Sequence, residues 1–159
     1  MSKIYTIGYG NRSINLFINL LNEHNITTLI DVRCKPYSRF NKAFSKNPLA
    51  YTLESLGIRY LYMGDTLGGK PQNKSLFIND KINYEAINLL DSYQTSISEI
   101  IAVSENENIC LMCCELNPEQ CHRKTLIGET LLNKNIQVMH INKNGNLTAD
   151  SFLPKLFLF

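Results

Sequence analysis

The run Thr28-Leu-Ile-Asp-Val is short, β-branched and almost wholly apolar, a pattern that fits a strand covered on both faces. Similar runs occur at Ile4 to Ile7, Ile58 to Met63, Ile109 to Cys113 and Ile136 to Ile141. Between them lie stretches of helical periodicity. Ser13 is placed to cap the first, with Leu16, Phe17, Leu20 and Leu21 along its core stripe. Asn47 and Pro48 are placed as cap and first residue of a second helix, which stops before Gly57. Residues 84–104 read as a third, broken near Asp91, and Gln120 to Leu132 as a fourth. Strands alternating with helices define an α/β fold. The expectation is one three-layer domain over residues 1–159, with a mostly parallel sheet of about five strands flanked by helices. Residues 64–80 read as a long surface loop, and Phe152 to Phe159 as a segment folded back over the core.

Bulk composition narrows the class of function. With 44% hydrophobic and 19% charged residues, the chain can bury a core and is not of the disordered type. A formal net charge of +2 is too small to drive non-specific nucleic-acid binding. Any cationic function must come from local placement of Arg and Lys. The start MSKIYTIGYG reads as a strand with polar flanks rather than a signal peptide. No apolar stretch approaches the roughly 18–20 residues that span a bilayer, so no membrane partner is expected. The five cysteines are odd in number. They fit free thiols in a reducing, cytoplasmic setting and not a disulfide framework.

In parallel sheets ligands bind outside the carboxyl ends of the strands. Three polar clusters fall at that edge. Gly8-Tyr-Gly-Asn-Arg12 follows the first strand, Asp31-Val-Arg33 ends the second, and CCELNPEQCHR, residues 113–123, follows the fourth. The last cluster admits several chemistries. Cys113 and Cys114 point to opposite faces of a strand end, and Cys121 and His122 diverge by about 100° on a helix. That leaves Cys113, Cys121 and His122 as the remaining arrangement for a metal or redox centre. An anion site is the second chemistry. The helix starting near Gln120 turns its N–H groups toward the loop, and Arg12, Arg33, Arg39 and Arg123 supply guanidinium forks. A thiol nucleophile is the third. Cys113, at a strand end among arginines, is the best placed, with Cys121 as partner.

Structural readings stand beside these. Asp31–Arg33 and Glu115–Arg123 can be ion pairs that only hold loops. Cys110 and Cys114 read as core, Cys34 as incidental, and His24 and His140 as surface or strand-end residues. Leu67-Gly-Gly-Lys70 lets backbone approach a ligand, or is a turn. Tyr51, Tyr60, Tyr62, Phe40 and Phe44 offer faces for base stacking, or pack in the core.

The motifs Thr6-Ile-Gly8, Asp31-Val-Arg33 with Pro36 and Ser38-Arg39, Gly57-Ile58, Leu67-Gly68-Gly69, Cys113-x-Glu115 and Cys121-His122-Arg123 together resemble domain of unknown function 488 (DUF488). The resemblance runs from about Ile4 to Ile141. It implies a compact α/β protein and carries no established activity with it. The family usually reads T-I-G-H-S in the first loop, where this chain has Tyr9 and Gly10; if that histidine is catalytic in the family, this chain either lacks its role or fills it with Tyr9 or His122. The order of parts also resembles rhodanese and cysteine-phosphatase architecture.

The residues expected to do chemistry are therefore Cys113, Glu115, Cys121, His122 and Asp31. Those expected to hold substrate are Arg12, Arg33, Arg39, Gly68, Gly69, Lys70, Arg123 and Tyr9. The leading expectation is an enzyme acting on a phosphorylated, nucleotide-like or sulfur-bearing small anion, with no cofactor and no metal. The alternatives are a nucleotide- or nucleic-acid-binding module using Arg12, Arg33, Arg39 and Lys70, and a Cys/His metal or redox site.

Overall fold

The computed structural model describes residues 2–68 and 74–150. Its centre is a six-stranded sheet of order β3-β2-β6-β1-β7-β8. The strands are β1 (Lys3–Gly8), β2 (Thr28–Asp31), β3 (Arg59–Tyr62), β6 (Ile109–Cys113), β7 (Gln137–Ile141) and β8 (Leu147–Ala149). All pairings are parallel except β7 with β8. The α/β class and mostly parallel sheet are those expected. The antiparallel β8 was not expected, so β7 is not the final strand.

The apolar runs form the inner strands because both faces are covered. Every residue of β2 and β6 is buried. Successive side chains alternate between two cores. Ile109, Leu111 and Cys113 face one that includes Ile97, Ile100, Leu126 and Leu131. Cys110 and Met112 face the other, with Phe17, Leu21, Phe44 and Leu53. The first core is covered by α5 (Asp91–Ser104), a π-helical turn (Arg123–Gly128) and α6 (Glu129–Asn133). The second is covered by α1 (Ile14–Glu23) and α2 (Lys46–Ser55). Adjacent β1 and β6 thus send their following helices to opposite faces. That divergence opens a crevice at their carboxyl ends, as in other doubly wound sheets.

Ser13 caps α1 as expected, its hydroxyl accepting from Leu16 N–H at 3.1 Å. The core stripe is Phe17, Ile18, Leu20 and Leu21, while Leu16 is 49% exposed and lies off it. Helix α2 starts earlier than Asn47-Pro48 predicts: Ser45 is the extended cap residue, and Pro48 sits within the first turn. It ends as expected, with Gly57 in the left-handed region at φ +81.

Two expected elements differ more. Residues 64–80 are not one surface loop. They contain a helical turn, α3 (Gly64–Leu67), whose Leu67 is fully buried. They also start a hairpin of β4 (Phe77–Ile78) and β5 (Lys81–Ile82). The helical stretch from residue 84 breaks after α4 (Tyr84–Asn88), close to Asp91 as predicted. The expected helix from Gln120 is instead a 3₁₀ turn over Pro118–Gln120, an extended Cys121, and the π-helical turn running into α6. Gly69, Lys70 and the segment Phe152 to Phe159 lie outside the described residues. Among the described residues, no helix is long and apolar enough to cross a membrane.

Phe44 is fully buried, stacked on Tyr9 at 4.5 Å and edge-on to Phe17 at 5.0 Å. Phe44→Ala is therefore expected to lower unfolding free energy by about 3–5 kcal/mol in a urea titration. Leu16→Ala, on the exposed side of α1, should stay within about 0.5 kcal/mol of the parent.

Candidate functional site

A cavity of about 530 Å³ opens where β1, β2 and β6 end. From the β1 end it is lined by Tyr9, and from the β2 end by Arg33, Cys34, Lys35 and Tyr37. The segment after β6 adds Cys113, Cys114, Glu115, Gln120, Cys121 and His122. Ile82 and Tyr84, from the hairpin and the start of α4, close the remaining side.

The segment after β6 is held in place by backbone and by one arginine. The β1–β6 ladder continues past the strands, with Tyr9 N–H donating to the Cys113 carbonyl at 3.1 Å and Gly10 N–H to that of Cys114 at 2.8 Å. The chain then crosses over the end of β1. A Cβ on Gly8 would stand 1.7 Å from the Glu115 carbonyl oxygen, so only glycine permits this crossing. Asn117 accepts from Glu119 N–H at 3.0 Å and turns the chain into Pro118–Gln120. The segment then returns Cys121 to the cavity lining and Arg123 to the interior behind it.

Arg123 is fully buried and does not line the cavity. Its Nε donates to Thr6 Oγ1 at 3.2 Å and its Nη2 to the Leu116 carbonyl at 3.1 Å. Its Nη1 donates to the Glu115 carbonyl and, at 2.8 Å, to Cys113 Sγ. Burial pushes this guanidinium down to about 10, with Cys110 and Glu115 pulling the other way. Among the described residues no carboxylate lies within ion-pair distance of it. The expected place of Arg123 in an open anion cradle is therefore corrected. Its donors face inward because the returning chain presents carbonyls that only a long cation can reach.

Cys113 and Cys121 meet. Their sulfurs are in bonding contact, with Cα atoms 7.6 Å apart, whereas Cys34, Cys110 and Cys114 are free. The expectation of free thiols fails for this pair, because the loop between them closes back on the strand end. Cys121 Sγ accepts the backbone N–H of Arg123 at 3.5 Å and faces His122 Nδ1 at 3.6 Å. His122 Nε2 lies 2.8 Å from the Val32 carbonyl, which puts a hydrogen on Nε2 and leaves Nδ1 able to accept from a Cys121 thiol only when the pair is reduced. Cys114 is exposed at the cavity rather than in the core, and burial pushes the Cys110 thiol well up.

Arg33 is the one arginine of the expected four that lines the cavity. Its Nε and Nη2 grip Asp31 at 2.9 and 2.8 Å, and its plane lies 5.3 Å above the Tyr9 ring. Burial works to lower the Arg33 pKa, but the bound carboxylate outweighs it and the net shift is upward. Only Nη1 is buried without a hydrogen-bond partner. Asp31 also accepts from Tyr60 at 2.5 Å, is fully buried and does not reach the cavity. Burial, then this carboxylate, raise the Tyr60 pKa. Burial and a hydrogen bond with Cys114 likewise raise that of Tyr9.

The other expected ligands sit elsewhere. Arg12 is buried and donates to the Gly8 carbonyl at 2.6 Å and the Asn142 carbonyl at 2.5 Å, tying the first loop to the end of β7. Arg39 is exposed and away from the lining, and Gly68 packs against Cys34. Tyr60 and Phe44 are core, whereas Tyr51 and Phe40 are exposed. His140, read as a surface or strand-end residue, is buried between Thr6 Oγ1 at 2.5 Å and Asp150 Oδ2 at 2.8 Å. The ligand atoms of Cys113, Glu115 and Cys121 lie within 4.8 Å of one another. A cation placed there would face the Arg123 guanidinium at Cys113.

Sequence reasoning missed Lys35, Tyr37, Ile82 and Tyr84. Asn79 and Asp80, both at positive φ (50 and 64), make the two-residue turn of the hairpin that carries Ile82. That Asn-Asp pair after the apolar Leu76-Phe77-Ile78 was a readable hairpin signal.

The sheet order and the cysteine-bearing strand end define a three-layer α/β protein with a cavity at its carboxyl edge. The family model described as domain of unknown function DUF488 matches residues 13–129, and the chain belongs to that family. No curated protein and no solved structure gives a significant match.

Arg123→Ala should lower unfolding free energy by about 3–5 kcal/mol, through a cavity and stranded carbonyls. An exposed cleft arginine would cost almost nothing, so chemical denaturation discriminates between the two. Gly8→Ala, which drives a methyl into the Glu115 backbone carbonyl, should cost about 3 kcal/mol or more, because backbone cannot turn aside.

Proposed function

We propose that the protein is a thiol-dependent enzyme acting on a small phosphorylated, nucleotide-like or sulfur-bearing anion, with Cys113 as nucleophile. One observation carries the reading: a fully buried arginine, lacking any ion-paired carboxylate among the described residues, directs Nη1 at Cys113 Sγ from 2.8 Å. An isolated buried charge is costly, and the reduced thiol can offset it by ionising. The cradle of this reading is smaller than sequence alone suggests. Arg33 is the arginine that lines the cavity, with Lys35 beside it. The thiolate forms a bond to the electrophilic centre, and the leaving group departs with its electron pair. Water or a second acceptor then releases the transferred group.

A second reading rests on the sulfur–sulfur contact of Cys113 and Cys121. In it the pair works as a dithiol. The Cys113 thiolate bonds to one sulfur of a substrate disulfide and the other sulfur leaves as a thiolate; Cys121, giving its proton to His122 Nδ1, then attacks Cys113 Sγ and expels the second thiolate, leaving Cys113 and Cys121 joined.

Alkylation by iodoacetamide, in a reduced Cys34→Ser/Cys114→Ser background, tests the first reading. The rate at Cys113 should reach half its maximum well below the roughly pH 8.5 of an ordinary cysteine. Arg123→Met should move that midpoint up. A midpoint at or above 8.5 rejects the reading. Labelling without prior reductant tests the second: modification of both sulfurs in air-equilibrated protein would exclude a redox pair.

A further inference from the structure

We propose that the segment from Lys35 to Tyr51, on the β2 side of the cavity, binds single-stranded nucleic acid. Between Asp31 and Glu54 the chain carries Arg33, Lys35, Arg39, Lys42 and Lys46 and no carboxylate. This asymmetry is local, because the whole chain has a net charge of only +2. Among the described residues, Lys35, Arg39 and Lys42 have no ion-pair partner. All three are exposed. Three aromatic side chains stand out of the same segment: Tyr37 is 65% exposed, Tyr51 77% and Phe40 97%. Exposed rings interleaved with unpaired cations are what a flexible polyanion with flat bases requires, the cations following phosphates and the rings stacking bases.

The pattern selects among polyanions. Base faces are available for stacking only in a single strand, and the segment offers no long helix to lie in a major groove. A membrane-binding surface would separate an apolar face from a charged rim. Here the two kinds of side chain alternate along the chain. The surface borders the cavity, since Lys35 and Tyr37 belong to both. Its binding nevertheless involves no cysteine and stands independently of the thiol chemistry.

The test is fluorescence anisotropy of the full chain with labelled 12-nucleotide single strands of DNA and RNA. Duplex DNA and phosphatidylserine-rich vesicles form the comparison arms. Neutralising three or four phosphates gives a log–log salt slope of about −2 to −3, so affinity for the single strand should fall roughly 20- to 50-fold between 50 and 200 mM salt. Arg39→Gln/Lys42→Gln should make the slope shallower by about 1.4. Phe40→Ala should weaken binding about fivefold or more. Cys113→Ser should leave binding unchanged, so loss of the thiol reading and loss of this one are separately visible. No single-strand binding at 50 mM salt overturns the proposal. So does equal or tighter binding of the duplex or the vesicles, or indifference to both loop variants.

Discussion

A guanidinium taken out of water needs hydrogen-bond acceptors, and Arg123 finds four of them in parts of the chain far apart in sequence. Thr6 belongs to the first strand, Cys113 to the end of β6, and Glu115 and Leu116 to the crossing segment beyond it. The same side chain therefore fixes the crossing over Gly8, the position of Cys113 and the cavity floor. The cost of burying the charge is offset only if all those partners remain together. Cavity shape and local folding are consequently one problem rather than two.

The two central strands bring this about. Gly8 pairs with Cys113, and the neighbouring strands lead into helices on opposite faces. A crevice at that point is a consequence of connectivity. Its chemical character comes from the side chains that the loops return to it. Arg33 illustrates the distinction: its grip on Asp31 is scaffolding, yet the same fork leaves one nitrogen directed away from its partner.

Much of this architecture was legible. Inner parallel strands must be apolar on both faces, so Thr28 to Val32 and Ile109 to Cys113 announce themselves as such. Caps are local chemistry, and Ser13 and Gly57 were readable for that reason. Strand β8, Leu-Thr-Ala with every residue exposed, has no such signature, because an edge strand owes its existence to the neighbour it pairs with. Leu16 shows the limit of periodicity: Ile18, two residues on, takes its place in the buried stripe. The clustering of site residues at one edge was visible in order and spacing. The destination of Arg123 was not, since its acceptors are mostly backbone carbonyls, and every sequence has those. Lys35 and Tyr37 were missed because only the fold reveals which loop residues border the cavity.

The contacts around His140 carry one more implication. Asp150 lies against His140 on β7, His140 meets Thr6 on β1, and Thr6 meets Arg123, which meets Cys113. A line of buried polar atoms thus runs crosswise through the sheet, from the β8 side to the cysteine. Ladder hydrogen bonds tie strands to their immediate neighbours, but this line couples the outer hairpin to the thiol without passing through solvent. The hairpin at the sheet's edge is in this sense a remote support of the sulfur's electrostatics. Fraying there would be registered at the cavity as a loosened guanidinium, well before the central strands part.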